Sequence, residues 1–122
     1  MKKLIAVAIL AVAWLAGCAS TPQNPAQAVY AAHGTYTVAL TAAVKYKQLP
    51  PCTQPAAPVL CAKPEVVRQL QQADDIAYTA LSAAQKIVRN HNEGAGTIQT
   101  AVFNATTAVN AFATIAKTLG VN

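Results

Sequence analysis

Four prolines, Pro50, Pro51, Pro55 and Pro58, crowd into residues 49–63 and preclude a regular helix there. Proline has no backbone N–H to donate, and its ring clashes with the carbonyl four residues back. On either side of this segment, apolar residues recur every three or four positions, the spacing of one helical face. The chain is therefore divided into helix, irregular connection and further helix.

The first helix starts at Asn24-Pro25-Ala26-Gln27, with Asn24 as cap, Pro25 in the first helical position and Gln27 at the capping-box position. Its stripe is Val29, Ala32, Tyr36, Leu40, Ala43 and Tyr46, and it ends near Gln48, because Pro50 and Pro51 disfavour continuation. Pro64 opens the second helix, with Glu65 near its positive end and Arg89 and His91 in its last turn. The second stripe is Val67, Leu70, Ala73 or Ala77, Ala80 or Leu81, Ala84 and Val88. Residues 92–96, Asn-Glu-Gly-Ala-Gly, read as a turn. The third helix carries Ile98, Ala101 or Val102, Ala105, Val109, Phe112, Ile115 or Ala116, and Leu119, with Gly120 as its C-terminal cap. Three helices, each with one apolar stripe, predict an all-α, up-down-up three-helix bundle. The alternative is two longer helices with an ill-packed third.

Cys52 and Cys61 both lie in the Pro-rich segment, with eight residues between them. Their spacing is not the Cys-x-x-Cys of redox enzymes, and the segment holds no histidine to complete a zinc set. A disulfide staple is the expectation, and closing a loop of this size stabilises by about 2.5–3 kcal/mol in the chain-entropy treatment.

The first eighteen residues carry a different signal. Met1-Lys2-Lys3 is basic, Leu4 to Ala16 is an uncharged and almost wholly aliphatic run, and Leu15-Ala16-Gly17-Cys18 closes it before the composition turns polar. As a helix this run reaches only about 20 Å, short of a hydrocarbon core of roughly 30 Å. It has the anatomy of a signal peptide. The segment resembles the lipobox of bacterial lipoproteins. That resemblance implies cleavage between Gly17 and Cys18 and acyl chains on Cys18, two or three of which anchor a protein stably. Ala19 and Ser20 follow in place of an aspartate, which by the same resemblance implies the outer membrane, with the protein facing the periplasm. The expected organisation is a cleaved signal peptide over 1–17, a lipidated cysteine and tether over 18–24, and a helical bundle domain over 25–122. In general layout the chain also resembles small phage and prophage lipoproteins, which implies superinfection exclusion or lysis as an alternative role. It departs from the Pro-rich lysis subunits in that most of its mature part reads as long helices.

After such cleavage, seven basic and four acidic residues remain. The net charge of +3 is dispersed along the chain, with no Lys/Arg cluster to follow a phosphate backbone, which argues against nucleic acid. Dispersed cations leave only weak attraction to an anionic lipid or glycan surface. Helices this poor in charge point to an envelope protein partner or to self-association. Tyr30, Tyr36 and Tyr46 on the first helix are the candidate partner surface. Tyr36 and Tyr46 also belong to the stripe, where tyrosine more often serves the core with a wet hydroxyl.

No catalytic constellation is legible. Asp74 and Asp75 are adjacent, so on a helix they point about 100° apart and form no shared-proton dyad. Asp74 flanks the stripe, where Tyr30, Tyr36 or a lysine is in reach. His33 and His91 fit no metal motif, and no cofactor is implied. The expectation is a lipid-anchored envelope protein that binds rather than catalyses.

Overall fold

The computed structural model describes residues 24–52, 60–90 and 92–119. Cys18, the cleavage position at Gly17, the loop interior 53–59, His91 and Gly120 lie outside the described residues. Three helices pack against one another: α1 (Pro25–Lys47), α2 (Pro64–Arg89) and α3 (Ala95–Thr118). Among the described residues there is no strand, only an isolated parallel bridge between Pro51 and Ala62.

The helix ends follow from local chemistry. Asn24 is extended, and its Oδ1 accepts the Gln27 N–H at 2.9 Å, which satisfies one of the N–H groups left over at a helix start. Pro25 fits the first position, whose N–H has no partner in any case. At the far end of α1, the Gln48 N–H reaches the Val44 carbonyl at 3.1 Å before the prolines stop the helix. Between α2 and α3, the Asn90 Oδ1 accepts the Asn92 N–H at 3.3 Å and the Asn90 carbonyl accepts the Glu93 N–H at 3.2 Å. Asn90 thus folds its own turn. α3 begins at Ala95, so Ala95 and Gly96 belong to the helix rather than to the turn expected over 92–96. The Ile98 N–H reaches back to the Gly94 carbonyl at 3.1 Å and closes the first helical turn there.

The stripes become the core. Val29, Ala32, Tyr36, Ala39, Ala43 and Tyr46 of α1 meet Leu70, Ala77, Leu81 and Ala84 of α2 and Ala105, Val109, Phe112, Ala113 and Ala116 of α3. Phe112 and Val109 are the largest side chains enclosed completely. Where the sequence left two choices, Ala77, Leu81 and Ala116 are buried, while Ala73, Ala80 and Ile115 pack against the core's edge. No polar or charged residue is buried among the described residues. α3 packs extensively on both neighbours, whereas α1 and α2 meet each other less.

Charge is segregated between the helices. α1 carries no charged residue before Lys45, and α3 none before Lys117. Their outer faces are instead rich in threonine. Thr35, Thr37 and Thr41 of α1, and Thr100, Thr106 and Thr114 of α3, donate to carbonyls one turn back at 2.8–3.2 Å. The hydroxyls are satisfied within their own helix, so these faces are polar without being charged.

Candidate functional site

Two buried tyrosines hold the seam between α1 and α2. Tyr36 lies on the inner face of α1, with its ring centroid 5.9 Å from that of Phe112 and 6.5 Å from that of Tyr78. Its hydroxyl donates to Asp74 Oδ1 at 2.7 Å, across 38 residues of sequence. Asp74 flanks the α2 stripe, as its position in the sequence suggested, and Tyr36 is the partner. Burial, followed by the hydrogen bond and the negative charge of Asp74, pushes the Tyr36 hydroxyl up to about 12.

Tyr46 does comparable work three turns on. Its ring is buried, and its hydroxyl accepts the backbone N–H of Lys63 at 3.1 Å. Lys63 is the residue that caps α2. The last turn of α1 thus holds the first turn of α2 directly. The structure therefore corrects the three-tyrosine partner surface. Tyr36 and Tyr46 are core residues, because a helical face that supplies a core stripe cannot also face solvent. Tyr30 alone is on the surface, 83% exposed.

The connecting segment is closed at its base. Cys52 and Cys61 form a disulfide with Cα atoms 5.1 Å apart. The Cys52 N–H donates to the Ala62 carbonyl at 3.0 Å, and the Ala62 N–H to the Pro50 carbonyl at 2.8 Å. The expected pairing is present, and it sits beside backbone bonds that also hold the two stretches of chain together.

Open grooves line the seams. One of about 390 Å³ runs between α1 and α2 over Leu40, Ala43, Val67 and Leu70, with Lys47, Asp74 and Asp75 at its edges. Another of about 480 Å³ lies between α1 and α3, walled mainly by small residues such as Ala31, Gly34, Ala42 and Ala113. Among the described residues no group of His, Cys, Asp and Glu is arranged to hold a metal ion, and no helix is long and apolar enough to cross a membrane. Asp74 is engaged by Tyr36, and His33 stands edge-on to Tyr36 with centroids 6.4 Å apart.

Several large apolar side chains remain in solvent: Val38 at 72% exposure, Phe103 at 69%, Ile76 at 64% and Tyr78 at 61%, besides Tyr30. They are spread over all three helices. Phe103 and Ile76 escaped sequence reasoning because each falls off its helix's stripe, and an isolated off-stripe apolar residue carries no periodic signal. The structure is a disulfide-closed three-helix bundle in which α1 and α3 carry no charged residue before their last turns. Comparison with known protein families, with curated proteins and with solved structures finds no match to this chain.

Proposed function

We propose that this chain is a lipid-anchored envelope protein that works as a non-enzymatic interaction module. Cys18 carries the lipid and holds the bundle at the outer membrane on its periplasmic side, and a protein partner or a second copy docks on the bundle. The exposure of Tyr30, Val38, Phe103, Ile76 and Tyr78 carries the docking part of this reading. Tyr30, Val38 and Phe103 lie on stretches of α1 and α3 that carry no charged residue, and apolar side chains gathered on an uncharged face are what a contact surface is made from. The basic start, the apolar run and Leu15-Ala16-Gly17-Cys18 support the anchor.

Two measurements test the reading. Envelope fractionation should find the parent chain with outer-membrane lipid, while Cys18→Ala is released or left unprocessed. An unchanged distribution of Cys18→Ala would remove the anchor. A photo-crosslinking residue at position 30 or 103 should give a discrete adduct in intact envelopes. Absence of adducts at both positions would remove the docking surface.

A further inference from the structure

The basic residues that are dispersed along the sequence converge at one end of the bundle. α1 and α3 end toward the end where α2 begins, so Lys45, Lys47, Lys63, Arg68 and Lys117 lie toward one pole, with Glu65 in the first turn of α2 there and Asp74 and Asp75 farther along α2, in a groove that Lys47 also lines. All five cations are exposed. Lys45, Lys47 and Lys117 complement the negative ends of α1 and α3. Lys63 does the opposite: it is a cation at the positive end of α2, where it makes no side-chain capping bond. Helix stability does not account for its charge.

The same pole exposes apolar side chains. Leu60 is 55% exposed, next to Cys61 of the disulfide. An open groove of about 490 Å³ between the end of α1 and the start of α2 has Leu49, Pro51, Ala62 and Val67 in its walls and Lys47 and Arg68 at its rim. Cations placed around exposed aliphatic groups match a surface that is anionic outside and apolar just beneath. The aromatic ring at this pole, Tyr46, is buried, so it offers no platform for a base or a sugar ring. We propose that this pole binds an anionic lipid surface. The cations meet headgroup phosphates, and Leu60 and the apolar groove walls take up the interfacial layer. Asn24, where the expected tether enters, is at the opposite end of α1, about 35 Å away along a helix of this length. The proposal therefore does not rest on the lipid anchor.

The test uses the full chain carrying Cys18→Ser, so acylation plays no part and failure of the anchor leaves the result unaffected. Binding is measured by co-sedimentation with vesicles of phosphatidylcholine alone and of phosphatidylcholine with phosphatidylglycerol. The N-terminal apolar run and its lysines are the same in every variant. K47E/R68E should bind the anionic vesicles at least about tenfold more weakly, given a contribution near fivefold per surface cation. It should bind the neutral vesicles like the parent. K63E/K117E should lose a similar factor, and helical content equal to the parent's by circular dichroism shows that both charge pairs fold. L60S should bind the anionic vesicles several-fold more weakly. Anionic-vesicle binding unchanged in both charge pairs would overturn the proposal. So would unchanged vesicle binding by L60S together with heparin binding that both charge pairs abolish, since that pattern marks a soluble polyanion.

Discussion

The seams made by α3 and the seam between α1 and α2 are built from different chemistry. α3 presents Ala105, Val109, Phe112, Ala113 and Ala116, and no side-chain hydrogen bond joins it to either neighbour among the described residues. The α1–α2 seam is more open and is held by two tyrosine hydroxyls, Tyr36 on Asp74 and Tyr46 on the Lys63 backbone. Apolar packing is strong but tolerant of small rotations, whereas a hydrogen bond across a seam accepts a narrow range of positions. The apolar seams therefore supply most of the stability, and the tyrosines set how α1 and α2 register.

The largest test of that division is Phe112→Ala. It empties the centre of the apolar seams and should cost about 3–5 kcal/mol, read from urea unfolding followed by circular dichroism. A loss below that expected for Tyr36→Phe would break the comparison. Next comes the double change Cys52→Ser with Cys61→Ser. Opening the loop should cost about 2.5–3 kcal/mol, while helical content stays that of the parent, because the bridge at Ala62 and the Tyr46 bond remain. A chain that loses its helices on reduction would mean that the disulfide, and not the tyrosines, organises the polar seam.

Tyr36→Phe removes one hydrogen bond without emptying space and should cost about 1 kcal/mol. Its pH signature is more specific. The folded state raises the Tyr36 hydroxyl from its ordinary 10.0 to about 12, so the fold favours the neutral form. The resulting stabilisation is complete below pH 10 and is lost as pH rises from 10 through about 12. Subtracting the stability curve of Tyr36→Phe from that of the parent cancels the lysines and should isolate this loss. A flat difference would place the hydroxyl in solvent. The smallest effect should be a gain. Gly34 lies within α1 and lines the open α1–α3 groove, where an added methyl group meets nothing within 4 Å. Gly34→Ala should stabilise by about 0.5–1 kcal/mol, seen as a modest rise in Tm. A fall would indicate that the α1–α3 groove needs the bare backbone.

Much of the bundle was legible because it is written in short-range terms. The Asn24 cap, Pro25, Pro64 and the prolines after Gln48 act within a few residues of themselves, and both observed ends of α1 and the start of α2 follow them. The Cys52–Cys61 pairing was legible because both cysteines fall in one Pro-rich segment whose spacing and lack of histidine fit neither a redox motif nor a zinc set. The choice between Ala73 and Ala77, or between Ile115 and Ala116, was not. Those pairs differ by a small rotation about the helix axis, and that rotation is set by the neighbour against which the helix packs.

The candidate sites divide the same way. Tyr36 and Tyr46 fall on the apolar stripe of α1 and Tyr30 falls off it, so the helical period already sets Tyr30 apart. The placement of α2 decides where the two inner hydroxyls go, Tyr36 to Asp74 and Tyr46 to the Lys63 N–H. The basic pole is a sharper case. Lys45 and Lys117 are far apart along the chain, and their charges read as dispersed until two reversals of direction bring the ends of α1 and α3 beside the start of α2. The three helices, both ends of α1, the start of α2 and the closed loop are set locally by capping, proline geometry and apolar period, whereas the start of α3, where no cap or proline marks it, fell two residues earlier than its turn residues indicated. Which groups the inner tyrosine hydroxyls meet and where the charges gather follow from packing, because proximity between distant residues exists only once the helices have come together.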